Sequence, residues 1–474
     1  MTAVDSESAE SGDELDLTYP RRLLLVVMLA VMAFGSLMTI VTVSLDEIAT
    51  DLDSSRATLT WMITGLMLAM AVMTPIGGKL GDIKGHRTVF LIGLVGGVVT
   101  TLASGLAWDA TSMIVFRVLF GVTGALVMPN GMALMMHAYG PTRRATAMGW
   151  FQFAMTGAPT IGLVIGGPLI DIVGWRWIFV AFAAVSVIAA VVGSRLIRPT
   201  PRMENVAIDY LGALALAAAV LAGLLTLTRV SELVRDAPLS TVVTDPLILA
   251  LAVVCIVGIA AFIRVENRTP DPMLELRYFK RRNFTLPMVS AALMQFAYMG
   301  GFVVTPALLG GLYGLSVGAI AITLAPRPGA FSLASPIGGY LATTLGERKP
   351  VVLGAMAMVA SMATFAVAAS MTGALGITFI VFGLMLSGIS AGISQPAIAS
   401  MVAGAVDPQD MGIANGMNQQ IMFIGVVSGI QTMNVFLGDG ASAGRFTATF
   451  VFGAVMAGFG LVASLATRAE PPSR

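Results

Sequence analysis

The side chains with the most evident chemical potential lie in one short segment, residues 75–87. It holds a single carboxylate, Asp82, among four basic or potentially basic side chains: Lys79, Lys84, His86 and Arg87. A carboxylate at a helix start is stabilised by the helix dipole, typically by about 0.3–1 kcal/mol. Two interpretations of Asp82 are open. It is either a cap in a solvated loop before the next helix, or a latch that pairs with Arg87 and with a helix end across a seam.

The same segment recurs 261 positions later, at residues 336–348. Seven of its thirteen residues coincide, including the proline, three glycines and the final arginine. Thr343 replaces Asp82 in the second copy, and farther along Pro129 corresponds to Pro396. We therefore predict two related halves, with the latch present in only one copy of the segment.

Charged side chains make up only 11% of the chain and hydrophobic ones 57%. Soluble domains carry about 25% charged residues, and runs of about 20 apolar residues are long enough to cross a bilayer. The net charge of +1 indicates no nucleic-acid partner. The predicted fold is an all-α integral membrane protein with fourteen transmembrane helices. We place them at about 23–45, 58–78, 88–107, 112–135, 147–170, 175–196, 208–229, 245–264, 285–309, 314–341, 350–370, 374–402, 411–435 and 447–467.

The basic residues predict the orientation of these helices. If the N-terminus is cytoplasmic, twenty of the 27 Lys and Arg residues fall on cytoplasmic segments and five on outer segments. Cytoplasmic loops of membrane proteins carry such an excess. An even helix count with both termini in the cytoplasm follows, and the lipid bilayer is the expected surrounding of a multi-pass protein.

The repeat predicts how the chain is divided. Predicted helices 2–5 match helices 10–13, so six helices belong to each half and two are inserted between them. Two inserted helices leave the second half in the same orientation, which makes the halves parallel repeats about a midplane site. The predicted parts are a disordered, acidic cytoplasmic tail at 1–20, a six-helix bundle at 21–200, two inserted helices at 201–270, a second six-helix bundle at 271–467 and a cytoplasmic tail at 468–474.

Five motifs, taken in order, resemble the major facilitator superfamily. Residues 75–87 are similar to its loop pattern Gly-x-Leu-x-Asp-x-x-Gly-x-Arg, and 117–125 to its helix-4 pattern. Residues 162–179 resemble the antiporter signature of its drug-exporting branches, although Gly162 is followed by Leu163 where that signature usually has proline. The segments 208–212 and 272–279 resemble the fourteen-helix drug:proton antiporter branch.

The resemblance implies a secondary transporter in the bacterial inner (plasma) membrane. It would export amphipathic or hydrophobic compounds by alternating access, in exchange for protons, as multidrug efflux proteins do. Gating would rest on the seam between the halves, although helix 5 glycines also serve ordinary membrane packing. The gating residues are expected to be Gly78, Asp82, Gly85, Arg87, Gly162, Gly166 and Gly167.

Three ionisable residues are the candidates for proton coupling. Arg117 lies in a predicted helix, where a charge is costly, so it either faces the bundle interior or snorkels to the outer interface. Asp46 and Glu47 stand at the outer end of the first predicted helix, and Asp46 occupies the place of a proline in the related family. They are either proton carriers or a rim of solvated acids.

A small amphipathic substrate would bind near the midplane between the halves. Arg327 stands between two prolines, and it either faces the cavity or pairs with a carbonyl in a kinked helix. The lack of a clear midplane acid favours neutral or amphipathic cargo. The candidate cavity residues are Gln152, Gln295, Phe296, Tyr298, Arg327, Asn415, Asn418 and Gln419.

Other classes of function have little support in the sequence. His86 and His137 are interpreted as isolated loop residues, so neither a metal site nor a catalytic site is predicted, and no cofactor. No Gly-x-x-x-x-Gly-Lys-Ser/Thr segment occurs, which excludes the commonest nucleotide-driven pump design. The protein is predicted not to be an enzyme. A lipid or metabolite carrier without proton coupling, and a non-transporting membrane scaffold or sensor on the same fold, remain the alternatives.

Overall fold

The computed structural model describes residues 18–43, 45–54, 56–200, 209–236, 239–269, 276–315, 317–437 and 442–468. Within these ranges the secondary structure is helical, with no strand. Short 3-10 turns occur at Leu276–Lys280 and Pro408–Asp410. The helices are α1 (Thr18–Val43), α2 (Leu45–Asp51), α3 (Arg56–Lys84), α4 (His86–Gly105), α5 (Ala110–Val173), α6 (Trp175–Leu196), α7 (Tyr210–Asp236), α8 (Leu239–Thr244), α9 (Pro246–Glu266), α10 (Arg282–Gly311), α11 (Val317–Leu324), α12 (Pro326–Leu345), α13 (Arg348–Ala368), α14 (Gly373–Gly404), α15 (Met411–Leu437) and α16 (Ala443–Leu465).

Twelve stretches of the described chain are long and apolar enough to cross a membrane, where the sequence predicts fourteen helices. One of the twelve, Ala110–Gly157, runs through Gly140, whose non-helical backbone (φ 68°, ψ 177°) divides α5 into two helices. The segment predicted as one helix at 314–341 is divided into α11 and α12, because Pro326 has no N–H for the helical ladder. The all-helical membrane fold is confirmed, and the number fourteen stays a prediction.

The buried apolar side chains form three clusters. One lies among α1, α3, α4, α5 and α6, and includes Phe34, Phe90 and Phe151. Another lies among α10, α13, α14 and α16, and includes Phe365 and Phe450. The third is mostly in the second half of the chain, and α7 and α9 contribute to it. Helices α7 and α9 pack against each other, and α7 also contacts α3 and α15.

The two halves meet along two helix pairs that the sequence repeat relates. Helix α3 packs against α15, and α12 packs against α5. A Cβ on Gly416 would lie 2.8 Å from Cα of Pro75, and a Cβ on Gly149 would lie 3.0 Å from Cα of Pro336. Since real Cβ atoms do not approach that closely, glycine is required at both crossings. The end of the bundle that carries residues 75–87 and 336–348 is called the motif end below.

Helix α3 is longer than predicted, and this corrects the placement of Asp82. The sequence placed residues 79–87 in a loop before the next helix, but α3 continues to Lys84 and α4 begins at His86. Gly85 makes the connection alone, with φ 87° and ψ 129°, a conformation that other residues rarely adopt. Asp82 therefore belongs to the last turn of α3, and the interpretation as a cap of the next helix is wrong.

Candidate functional site: a latch and a seam between two halves

The Asp82 carboxylate joins the two halves at the motif end. Its Oδ1 accepts a hydrogen bond from the Gly412 N–H at 2.8 Å, and its Oδ2 accepts one from the Ile413 N–H at 2.9 Å. Both donors belong to the first turn of α15, where backbone N–H groups have no partner within the helix. The side chain is only 3% exposed. The carboxylate therefore bonds to a facing helix end at the positive end of its dipole, which is the contact expected of a latch, and its role in gating stays a prediction.

A second charged contact lies beside this latch. Lys79 Nζ is 3.8 Å from Asp410 Oδ1, and both side chains are buried. Gly78 is also part of the crossing, because a Cβ there would meet the backbone of Gly412. Arg87 was expected to pair with Asp82, and this is wrong: its Nη2 donates instead to the Ser194 carbonyl at 2.7 Å. Arg87 therefore ties α4 to the end of α6 within one half.

Tyr278 supports the latch from the segment before α10. Its hydroxyl oxygen lies 2.7 Å from Asp410 Oδ2 and 3.0 Å from Asp407 Oδ2. Burial raises the pKa of the Tyr278 phenol, and the hydrogen bond to Asp410 raises it further. The phenol therefore stays protonated and donates to a carboxylate. Arg277 pairs with Asp407 at 3.1 Å, which completes the support of the turn that leads into α15.

The second copy of the segment makes a different contact between the halves. Thr343 is half-buried, and its hydroxyl donates to the Tyr340 carbonyl of its own helix, at 2.8 Å. The ionic contact is made by Glu347 instead, whose Oε1 is 3.3 Å from Arg144 Nη2. Arg144 Nε also donates to Ser400 Oγ at 2.7 Å, and Ser400 contacts Glu347. The two copies of the segment therefore differ as predicted: the first contacts the other half through Asp82, and the second contacts it through the Glu347–Arg144 ion pair.

The sequence prediction missed Arg144 and Glu347. Glu347 occupies the position of His86 in the repeat, and Arg144 occupies that of Met411 at the offset of 267. An acid and a base at these related positions are the signal that could have been used. It identifies an ion pair only once the repeat is known to bring the two segments together across the seam.

Deeper in the seam, three glutamines form a chain between the halves. Gln152 Nε2 donates to Gln395 Oε1 at 2.6 Å, and Gln395 Nε2 donates to Gln295 Oε1 at 3.3 Å. Gln152 and Gln295 were predicted, and Gln395 was missed. Gln295 and Gln395 also line a cavity of the second half together with Met294, Met358 and Met422.

Arg327 is held inside the second half. It is 3% exposed, and its Nη2 donates to the Tyr298 carbonyl at 2.8 Å. Its guanidinium carbon lies 3.5 Å from the ring centre of Tyr298 and 4.2 Å from that of Phe302. Of the two interpretations given for Arg327, the structure shows the one in which it pairs with a carbonyl. Phe296, also a predicted cavity residue, is buried and packs edge to face on Phe452 with ring centres 5.9 Å apart.

The asparagines of α15 lie at the seam. Asn415 is fully buried, with Nδ2 3.6 Å from Met136 Sδ of the other half, and Asn418 is 2% exposed. The Oδ1 atoms of both accept no hydrogen bond from the described residues. Gln419 is half-buried. Its neighbour Gln420, which the sequence prediction missed, donates to the Ala71 carbonyl across the seam at 3.3 Å.

The proton-coupling candidates are not brought together in the described residues. Arg117 is 1% exposed, so the interpretation as a snorkelling side chain is wrong. Its guanidinium lies 5.1 Å from the Phe120 ring centre, and neither Nε nor Nη1 has a hydrogen-bond partner among the described residues. Glu47 is exposed on α2. The side chain of Asp46 lies outside the described residues.

Two further sets of residues complete the comparison with the sequence predictions. Gly162, Gly166 and Gly167 belong to α5, but their surroundings lie outside the described residues. His86 and His137 were expected to be isolated, and this is wrong, since their ring centres are 5.4 Å apart. Among the described residues no group of three or more His, Cys, Asp or Glu side chains is placed to hold a metal ion.

The protein has two repeat-related helical halves that meet along a polar seam, with a latch at one end. This arrangement is typical of a membrane transporter. The family model described as Major Facilitator Superfamily matches residues 23–430, and the chain belongs to that family. Members of this family are transporters and not enzymes. The all-helical fold of a multi-pass membrane protein and the family resemblance predicted from the sequence are thereby confirmed, while the inner membrane and the orientation of the termini stay predictions.

Related proteins place the chain near drug exporters. It is 29% identical to the tetracenomycin C resistance and export protein of Streptomyces glaucescens, over 87% of this chain and 75% of that protein. It is 25% identical to the multidrug transporter protein MdtP of Bacillus subtilis, over 88% of this chain and 75% of that protein. It is also 28% identical to the multidrug export protein EmrB of Escherichia coli, over 69% of this chain and 64% of that protein.

Solved structures share the fold at low sequence identity. The human organic anion transporter MFSD10 superposes with a TM-score of 0.65 at 16% identity, covering 92% of this chain and 99% of that chain. The proton:xylose symporter XylE superposes with a TM-score of 0.63 at 12% identity, covering 92% of this chain and 95% of that chain. At these identities the superpositions establish the fold alone.

Proposed function

We propose that this protein exports amphipathic or hydrophobic compounds by alternating access, in exchange for protons. The observation that carries the proposal is the buried Asp82 carboxylate bound to the first turn of α15. This contact joins the two halves and so closes the seam at one end. Opening that end requires these two hydrogen bonds and the ion pairs Lys79–Asp410 and Arg144–Glu347 to break, while each half stays intact. Such a contact is of use to a protein whose halves move against each other.

The charge distribution supports the proposed orientation of the protein in the membrane. The motif end carries the basic loops, so the positive-inside rule makes it the cytoplasmic end, with both termini in the cytoplasm. A protein closed there takes the state that releases cargo outward. Two of the relatives, the tetracenomycin C resistance and export protein and the multidrug export protein EmrB, are export proteins, which favours export as the direction of transport.

The seam supports the class of cargo. Its described polar groups include the glutamines 152, 295 and 395 and the asparagines 415 and 418, while methionines line the cavity beside them. Amide groups bind without demanding a charge on the cargo, and methionine adapts to different apolar shapes. We therefore expect apolar or amphipathic compounds with a few hydrogen-bonding groups.

Proteoliposomes test the proposal. The purified protein is reconstituted, an outward or inward pH step is imposed, and the movement of an amphipathic fluorescent dye is followed. We expect the pH step alone to drive dye movement, and a protonophore to abolish it. The double variant Asp46→Asn with Glu47→Gln tests whether the acids of α2 carry the proton. Dye flux that is equal with and without a pH step would end the proton-exchange proposal, and no flux of any amphipathic dye would favour a non-transporting role.

A further inference from the structure

The only two histidines of the chain lie together at the motif end, beside the latch. His86 is the first residue of α4 and is 3% exposed, whereas His137 is exposed. The His86 ring is held between two partners. Its Nδ1 is 2.9 Å from Asn130 Oδ1, and its Nε2 is 3.4 Å from Asp82 Oδ1. The family assignment and the proposed transport leave this arrangement without a role.

The hydrogen bonds of Asn130 determine which ring nitrogen carries a proton. Asn130 Nδ2 donates to the Gly77 carbonyl at 2.8 Å and to the Leu126 carbonyl at 2.8 Å. The amide orientation is therefore fixed, with Oδ1 toward His86. Because that oxygen can only accept, His86 Nδ1 must be the donor and must carry a hydrogen.

A neutral imidazole has only one N–H, so a neutral His86 would point the lone pair of Nε2 at Asp82 Oδ1. Two acceptors facing each other in a buried site repel. A proton between them turns the repulsion into a hydrogen bond. Burial opposes an isolated charge on either group, while the two backbone N–H groups of α15 stabilise negative charge on Asp82, so the pair shares one proton between Oδ1 and Nε2.

We propose that His86 and Asp82 form a proton-binding site of the closed latch, so that closing the motif end takes up one proton from solution and opening it releases that proton. Opening removes Asp82 from α15 and admits water to the pair. A solvated histidine has a pKa near 6.5 and is mostly neutral above that pH. The proposal concerns the latch alone, and it holds whatever the cargo is.

The charged and titratable groups that face the pair come from three elements besides α4. Lys79 on α3 and Asp410 before α15 lie on the Asp82 side of the pair. The ring centre of His137 on α5 lies 5.4 Å from that of His86. Lys79 Nζ and Asp410 Oδ1 are 3.8 Å apart, so the effects of their opposite charges on the pair largely cancel. The proton shared by His86 and Asp82 therefore dominates the response of the latch to pH.

The sign of the response follows from proton linkage. The closed state binds one more proton than the open state, so acidification favours closing and alkalinisation favours opening. With one proton for each latch, the ratio of closed to open protein falls by at most about tenfold for each pH unit. The change is confined to the interval in which the His86–Asp82 pair loses its proton in the open state but keeps it in the closed state.

A distance measurement between the halves tests the proposal. Spin labels are attached to cysteines at Thr142 and Gln409, which are exposed, repeat-related positions at the motif end, after Cys255→Ser has removed the native cysteine. Pulsed dipolar spectroscopy then gives the closed and open populations between about pH 5 and about pH 8. We expect the short-distance population to fall as the pH rises, with a slope approaching tenfold for each pH unit.

Two variants and a control separate this explanation from others. In His86→Asn the pH dependence should disappear over this range, and in His86→Arg the closed population should stay high at every pH. The matched control His137→Asn should keep the wild-type slope. An unchanged distance distribution of the wild-type protein across the range would overturn the proposal, and so would an equal slope in wild-type and His86→Asn protein. Because the readout needs no cargo, either result is distinguishable from a failure of the export proposal.

Discussion

Replacing Asp82 with asparagine should open the motif end without unfolding either half. The carboxylate accepts two charge-assisted hydrogen bonds from α15, at 2.8 and 2.9 Å. Such bonds contribute about 1.5–3 kcal/mol each, whereas neutral ones contribute about 0.5–1.5 kcal/mol. The asparagine oxygen can replace only one of them, and its amide group then faces the other N–H donor.

The expected loss is at least about 2 kcal/mol of closed-state stability, from one lost bond and one weakened bond. Since about 1.4 kcal/mol corresponds to a factor of ten, the ratio of closed to open protein should fall about 30-fold. The dipole of α15 is no longer opposed by a negative charge, which acts in the same direction. Each half keeps its own apolar core, so the thermal stability should change little.

The assay is the distance distribution between spin labels at Thr142→Cys and Gln409→Cys in the Cys255→Ser background. The matched control is Thr343→Val, which alters the repeat-related position but removes only a bond within its own helix. Asp82→Asn should lengthen the mean distance, and the control should not. A distance distribution of Asp82→Asn equal to that of the unmodified protein would refute the role of Asp82 as a latch.

Three further outcomes are expected. Glu347→Gln should weaken the second contact between the halves by about 1 kcal/mol, because the pair with Arg144 is partly exposed. The same spin labels should therefore show a smaller opening than in Asp82→Asn. An equal or larger opening would contradict this ranking. Gln395→Ala should break the glutamine chain and change the relative transport rates of several dyes in proteoliposomes. Ser387→Ala, which removes only a bond within α14, should not change them. Unchanged dye preference in Gln395→Ala would argue against Gln395 as a cargo contact. Tyr278→Phe should remove a hydrogen bond of about 1.5–3 kcal/mol to a carboxylate. We expect a lower denaturation temperature of the purified protein and a longer distance between the spin labels. A wild-type denaturation temperature together with a wild-type distance would contradict the supporting role of Tyr278.

The latch illustrates how far the sequence alone could lead. One acid in a glycine-rich repeated segment was enough to predict a contact between Asp82 and a facing helix end. The partner atoms were not predictable, because they are backbone N–H groups of α15 and any sequence can supply them. The end of α3 was misplaced for a related reason. Gly85 completes the turn alone through a positive φ, so the helix continues through residues whose types are common in loops.

Contacts that join distant segments were the main omissions. Glu347 and Arg144 are 203 residues apart, and neither side chain is unusual for a loop. Gln395 and Gln420 stand in apolar helices, where the sequence does not show which face of the helix meets the seam. His86 and His137 were dismissed because a spacing of 51 residues matches no ligand motif, yet packing of α4 on α5 brings their rings together. Periodicity predicts helices, but only tertiary packing decides which polar groups meet.

A reversible cross-link across the seam tests the central claim most directly, namely that the halves must separate at the motif end during transport. Arg144 Nε reaches Ser400 Oγ at 2.7 Å, so cysteines at these two positions can be joined by a cleavable reagent as long as the arginine side chain. The double variant is made in the Cys255→Ser background and reconstituted in proteoliposomes. Dye transport driven by a pH step should stop on cross-linking and return when the reagent is cleaved. Transport at an undiminished rate in fully cross-linked protein would contradict the account.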